Sequence, residues 1–483
     1  MTDVLNTNNN IGGNACTDVG VSFSVYLLTL GCDKNRVDGE VMLGRLVSTQ
    51  IFTPITDPAA ADIIIVNTCG FIREATQESI DTILEMSTYR SDPTAPCRAL
   101  VVVGCMSERY REETKAEIPE ADAVLGVKDA DNIVDVVSGL LGINAPDTTS
   151  DIGANRVASS PYVHNRHVAH IKISDGCDNA CAYCTIPSIR GPYVSRPFED
   201  IVNECKLLIS AGAKELVLVA QDTALYGIDL YGTPRLHELI RAIAGLDGDT
   251  TDSPGVLVET AALKPWIRLM YAYSEHITPE IIQAIADLPN VCKYIDMPIQ
   301  HSETSVLKRM GRHGTTNDLR ELIRNLRDKI PGIALRTTLM VGFPGETVEN
   351  FRALYNFVKE VQFDRLGVFP YSREEGTKAA TMPQQVKDSV KHSRRDRLMR
   401  LQQKIHHDKQ QAKIGHTVDV MVDEASQDSD ITYTGRTQHD AYEVDAIVRF
   451  TSAIDRQLNA GDIVKVIITD ADEYDLMGVQ TQI

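Results

Sequence analysis

The stretch Cys177-Asp-Asn-Ala-Cys181-Ala-Tyr-Cys184 decides how this chain is read. Its spacing, C-x3-C-x2-C, offers three thiolates to one centre and leaves a fourth position open. Structural zinc sites are closed by four ligands, commonly two C-x2-C pairs, and ferredoxin clusters by a fourth cysteine. The next cysteine here, Cys205, lies well inside a helical pattern. Three thiolates on a 4Fe-4S cubane leave one iron free to bind a small molecule. The bland alternative is three core cysteines sharing a loop. It fits poorly, because the loop is polar, opens on Asp175-Gly176 and follows a strand-like run.

Working outward, that run is the first of a βα series. Strand patterns fall at 167–173, 215–220, 266–271, 293–297, 334–341 and 365–369, with helical patterns between them. One helix opens after Pro197, places Ile201, Cys205, Leu208 and Ile209 on one face, and stops at Gly212. Six βα units suggest an incomplete (β/α)6 barrel, although periodicity alone does not separate that from an open sheet. Before it, strand-like runs at 23–30, 62–68 and 98–104 each precede a helix, which predicts an open parallel-sheet α/β domain. After it come a basic helical stretch at 386–416 and a series of short strands. The strands predict a small β-barrel of oligomer-binding type. The basic stretch reads equally as a solvated face or a binding surface. The expected division is a disordered tail at 1–20, an N-terminal domain at 21–143, a linker at 144–162, the barrel domain at 163–410 and the small β-barrel at 411–483.

Composition bounds the setting. The chain has 483 residues, an ordinary apolar fraction and a net charge of −19. No apolar run is long enough to span a membrane. The first residues lack a basic segment followed by an apolar one, so no signal peptide is expected and a cytoplasmic location is. There thiols stay reduced, and clustered cysteines read as metal ligands rather than disulfides.

A second cysteine set has no local spacing motif. Cys32, Cys69 and Cys105 are 37 and 36 residues apart. Each lies just past the end of a predicted parallel strand. The C-terminal ends of such strands share one edge, where ligands bind. Three thiolates can therefore converge there and hold a second cubane. Taken singly, each reads more readily as a core cysteine. Cys205 and Cys292 read as packing residues, and Cys16 and Cys97 as incidental.

Together these words resemble the radical S-adenosylmethionine methylthiotransferases, from about Phe23 to the C-terminus. The resemblance rests on Leu30-Gly-Cys-Asp-Lys-Asn35, Asn67-Thr-Cys-Gly-Phe-Ile72, the radical triplet, Ile186-Pro-Ser-Ile-Arg-Gly-Pro-Tyr-Val-Ser-Arg-Pro197, Val219-Ala-Gln-Asp-Thr223, Asp296-Met-Pro-Ile-Gln-His301 and Val341-Gly-Phe-Pro-Gly-Glu346. The closest branch is the one that modifies an aspartate of small-subunit ribosomal protein S-twelve. The resemblance implies two 4Fe-4S clusters, on Cys32, Cys69 and Cys105 and on Cys177, Cys181 and Cys184. It implies S-adenosylmethionine in two roles, methyl donor and radical source, and a TRAM-like last domain. A low-potential electron donor such as flavodoxin or ferredoxin is implied as partner. Tyr183, Gln221, Asp222, Gly342, Gly345 and Glu346 are the expected S-adenosylmethionine contacts. The glycine word 341–346, at a strand end, is expected to let backbone approach the cofactor. Two departures stand out: Gly39 where serine is usual, and an extra loop at about 247–264.

Two other functions compete. One is the same chemistry on adenosine of transfer RNA. The other is a non-enzymatic two-cluster electron carrier or sensor, which closed four-cysteine sites would favour. Residues 417–483 carry fourteen Asp/Glu and four Lys/Arg, a net of −10. That disfavours a phosphate backbone and suits a basic protein partner. Asp428, Asp430, Asp440, Glu443 and Asp445 are the acids expected to face it.

Overall fold

Ile63–Thr68 is buried at every position, as a central strand of a parallel sheet must be. This strand, β3, stands in a five-stranded parallel sheet of order β2-β1-β3-β4-β5, with β1 Phe23–Thr29, β2 Phe52–Pro54, β4 Ala99–Gly104 and β5 Ala123–Val124. Helices α1 (Asp33–Ser48), α2 (Arg73–Ser91) and α3 (Cys105–Arg109) follow β1, β3 and β4. The two edge strands are too short to show in a hydrophobic pattern. The computed structural model describes residues 22–162, 166–246, 264–425, 432–452 and 457–481. The expected disordered tail, nearly all of the extra loop, and Asp428 and Asp430 lie outside the described residues.

The second domain holds β6 (Val168–Lys172), the short antiparallel pair β7 (Ser174–Asp175) and β8 (Val194–Ser195), β9 (Glu215–Val219), β10 (Trp266–Leu269), β11 (Tyr294–Asp296), β12 (Ala334–Val341) and β13 (Arg365–Pro370). Two parallel sheets, β10-β9-β6 and β11-β12-β13, meet through an Ile267–Val291 bridge. The result is the expected open arc of six strands rather than a closed barrel. Its two outer strands, β6 and β13, would present unpaired edges. Helix α1 lies along β6 and the helix Asp388–Gln411 along β13. That last helix turns part of its basic face inward. Lys391 Nζ donates to Tyr371 O at 2.9 Å, and Arg394 pairs with Glu346 at 3.2 Å.

The stretch expected to be a linker carries a helix, Ile152–Ser159. It is pressed onto α1, and Asn155 O sits where a Cβ on Gly44 would be, 1.8 Å away. Its Arg156 is 2 % exposed and joins Glu40 of α1, Glu204 and His170 O. Burial alone would lower the charge on this guanidinium, but Glu40 and Glu204 hold it firmly protonated.

The last domain is a closed barrel, β14-β15-β16-β18-β17, with β14 Thr417–Ala425, β15 Thr432–Arg436, β16 Val448–Thr451, β17 Ile463–Ala471 and β18 Leu476–Gln480. It caps the N-terminal ends of the six-stranded arc. Met421 and Ala441 pack with Val168, Val217, Trp266, Cys292, Tyr294 and Ala334. Around them lies a layer of buried charge. Glu215 accepts from Arg268 at 2.6 Å and also pairs with Arg436. Asp440 pairs with Arg365, and Asp445 accepts from Tyr294 at 2.8 Å and lies 3.5 Å from Arg336. Asp423 meets His167 at 2.8 Å, and Glu443 pairs with Arg36 of α1.

This corrects the reading of the acidic barrel. Of the five acids expected to face a partner, Asp440 and Asp445 are buried against arginines of the arc, and Glu443 is paired across to the first domain. Net charge counts side chains without saying which way they point.

Candidate active site

The N-terminal cysteines do share one edge. Cys32 precedes α1, Cys69 follows β3 and Cys105 opens α3, and β1, β3 and β4 are neighbours in the sheet. Gly31 has φ +93, and a Cβ on it would lie 2.9 Å from Cys69 Sγ, so only glycine lets the first loop close on the second. Asn35 ties the three loops. Its Nδ2 donates to Leu30 O at 3.0 Å and Thr68 O at 2.8 Å, and Cys105 Sγ lies 3.6 Å from its Oδ1. Ser79 brackets Cys69, accepting from its N–H at 3.0 Å and donating to its carbonyl at 2.9 Å.

The radical triplet sits past the C-terminal end of β6, at the end of the arc opposite the small barrel. Gly176, at φ +73, would meet Pro192 O at 1.9 Å with any Cβ, which is how the loop folds back on itself. Cys177 N donates to Gly191 O at 3.2 Å, and Ala182 N to Met310 O at 2.8 Å. Asp222 is buried and spoken for, holding Asn179 Nδ2 at 3.1 Å and His276 Nδ1 at 2.6 Å. It therefore fixes the cysteine loop. Tyr273 OH lies 3.7 Å from Cys181 Sγ, with the Arg312 guanidinium 3.8 Å over the Tyr273 ring.

The two loops meet. Arg190, six residues after Cys184, donates to Asn35 Oδ1 at 2.8 Å and to Cys105 Sγ at 3.4 Å. It pairs with Asp38 of α1 and with Asp175, each at 3.0 Å. Lys172 reaches the same two carboxylates, and Gln221 Nε2 donates to Asp175 at 3.0 Å. Thr185 Oγ1 donates to Phe71 O at 3.2 Å. One charged network thus ties the segment that follows the radical triplet to the sheet edge that carries the second cysteine set.

The remaining expected contacts are placed as follows. Tyr183 packs edge-on against Phe343, with ring centroids 6.4 Å apart. Gly342 makes room for Lys391, whose Cγ would be 2.2 Å from a Cβ there, and Gly345 for Arg309 and Gln384. Both glycines thus lie close against the chain's own side chains. Glu346 accepts from Gly342 N and pairs with Arg394, while its Oε1, without a hydrogen bond, lies 3.9 Å from the buried His301 Nε2. Gln221 Oε1 is likewise buried without a hydrogen bond. Cys205 and Cys292 are buried packing residues, as expected, and Cys97 is buried too. Sequence reasoning missed Arg190, Asn35, Tyr273 and Arg312. Two of them stood inside quoted words, but nothing in a word shows that its arginine will be buried.

Each set consists of thiols alone, with no imidazole or carboxylate among them, which suits iron–sulfur clusters. Burial pushes the Cys105 and Cys177 thiols up to about 11 and Cys184 to about 12, so these groups lose protons when metal binds. Among the described residues no three His, Cys, Asp or Glu side chains converge as a single metal ion would need. A cubane is gripped from three corners, one thiolate to each of three irons, and needs no common point.

Comparison with known proteins agrees with this geometry. Residues 171–358 match the Radical SAM superfamily, 24–126 the Uncharacterized protein family UPF0004, and 414–480 the TRAM domain. The ribosomal protein uS12 methylthiotransferase RimO of Desulforamulus reducens is 45% identical over 469 residues, covering 95% of this chain and all of that one. RimO of Clostridioides difficile is 46% identical over 460 residues, covering 94% and 98%. Among solved structures, the radical S-adenosylmethionine methyltransferase TsrM from Kitasatospora setae superposes with a TM-score of 0.50 at 14% identity, over 72% of this chain and 73% of that one. That likeness speaks to the fold alone. With near-full-length identity to these enzymes, the chain belongs to the RimO family of radical S-adenosylmethionine methylthiotransferases.

Proposed function

We propose that the protein replaces a hydrogen on the β-carbon of an aspartate in ribosomal protein uS12 with a methylthio group. The observation that carries this reading is Arg190, which joins the radical loop to the second cysteine set. Such a C–H bond is unactivated, and no acid or base at neutral pH removes its proton. When bound, two 4Fe-4S clusters and S-adenosylmethionine supply homolytic hydrogen abstraction and a methylated sulfur. Cys177, Cys181 and Cys184 would hold the cluster that works with S-adenosylmethionine, and Cys32, Cys69 and Cys105 the one that carries sulfur.

The chain's own task is alignment. The network Arg190–Asp175–Lys172–Asp38 fixes the distance between the two loops. Asp222 and His276 lock the first cysteine loop from behind. Gln221 and Glu346 keep buried oxygens with hydrogen-bonding capacity to spare, which suits S-adenosylmethionine contacts, and Tyr183 offers a ring edge nearby. A low-potential donor such as a flavodoxin or ferredoxin would supply electrons in the cytoplasm, where the thiols stay reduced. No helix among the described residues is long and apolar enough to cross a membrane.

Mass spectrometry of small-subunit proteins and transfer RNA, with and without the gene, tests the reading. Loss of the methylthio mass from uS12 alone is expected. Loss from transfer RNA with uS12 unchanged would move the substrate to the nucleic-acid branch.

A further inference from the structure

Lys34 stands two residues after Cys32 and is 7 % exposed. Its Nζ lies 3.4 Å over the Tyr271 ring, and no carboxylate of the described residues is within ion-pair distance. Asp33 feels the ammonium but is itself engaged, accepting from Tyr271 OH at 2.9 Å and facing His170 at 3.5 Å. The other cations nearby are spent: Arg36 on Glu443, Lys172 and Arg190 on Asp38 and Asp175. The ammonium thus has a ring face, the nearby charge of Asp33 and no carboxylate in direct contact.

Its setting is built. Tyr271 lies just past the end of β10, at the mouth of the arc, in the left-handed region at φ +57. A bulky residue persists there only when its surroundings hold it. Its N–H donates to Asp296 at 3.2 Å and its hydroxyl to Asp33, so both ends of the residue are fixed beneath the ammonium.

We infer that Lys34 receives the side-chain carboxylate of the substrate aspartate. The inference rests on the substrate reading above. The carboxyl carbon is bonded directly to the β-carbon. Pinning the carboxylate at Lys34 therefore sets the reacting carbon beside Cys32, on the side of the cluster that supplies sulfur. It also makes the enzyme selective for an acid, since an amide in the same place leaves the ammonium unpaired.

The test uses the full chain, loaded with both clusters anaerobically and with S-adenosylmethionine but no reductant. Labelled uS12 and its target Asp→Asn variant are titrated against wild type, Lys34→Met and Lys34→Arg. Wild type binds the aspartate form more tightly. Lys34→Met loses about 30-fold or more for that form and less than threefold for the asparagine form. Lys34→Arg keeps a preference for aspartate, and iron content and the visible absorption of the clusters stay unchanged. Equal losses for both forms, or altered cluster signals with the aspartate preference intact, would overturn the inference and leave the substrate reading standing. Wild type that binds neither form would overturn the substrate reading and this inference together.

Discussion

Arg190 shows how much rests on a single side chain. Its guanidinium is buried between Asp38 and Asp175 while two of its N–H groups reach Asn35 and Cys105. Removing one member of a buried ion network leaves the rest uncompensated, at a cost of about 3–5 kcal/mol. Arg190→Ala is therefore expected to lower the unfolding free energy by that amount in urea titration of the metal-free protein. The same variant should retain less iron than wild type after gel filtration, because Cys105 loses a donor. At this scale the six cysteines were legible in the sequence, one set by spacing and the other by position at strand ends. Lys34 and Arg190 were not. Their meaning comes from partners far along the chain, and a cation looks like surface until its surroundings are known. Gly39, noted as a departure from the usual serine, has a local reason: a Cβ there would lie 2.5 Å from Thr29 Oγ1.

Among the elements, the helix Ile152–Ser159 was the least legible. Its buried face includes Asn155, Arg156 and Ser159, polar residues that a hydrophobic pattern counts as solvent-facing. The helix is held by ion pairs and by close backbone contact rather than by an apolar stripe. The contact at Gly44 makes this checkable. Gly44→Ala puts a methyl group into Asn155 O, so α1 and this helix must separate. A loss of about 1–3 kcal/mol is expected in thermal or urea unfolding, the usual cost of overpacking. Strands β3, β4 and β9 read clearly because each carries an unbroken apolar run of four or more residues. The edge strands β2 and β5 and the closing strand β18 did not register as patterns.

At the level of the whole molecule, the small barrel is part of the catalytic body. Glu215, Arg268, Arg336 and Arg365 of the arc are covered by Arg436, Asp440 and Asp445. Burial alone would raise the Glu215 carboxyl, but Arg268 and Arg436 hold it at about 2. Its folded value lies below the ordinary carboxylate one, so its contribution is full above about pH 4.5 and is lost as pH falls toward about 2. Metal-free protein is expected to lose barrel docking across that window, read by circular dichroism against pH. Glu215→Gln leaves two guanidinium groups without a counter-charge and should cost about 3–5 kcal/mol at neutral pH, removing most of the acid transition. A truncation at Thr417 should for the same reason give an unstable core. The charge of this domain was easy to count from sequence and easy to misread, since much of it is turned toward arginines of its own chain.

The capped floor bears on how the enzyme meets air. Among the described residues the N-terminal ends of the arc are covered by the small barrel and its fixed charges, so the mouth is the more open approach for dioxygen to the cysteine loops. On the reading proposed above, the substrate docks at that mouth. The ribosomal protein is then expected to serve as shutter as well as substrate, with the enzyme most vulnerable to oxidation while it waits.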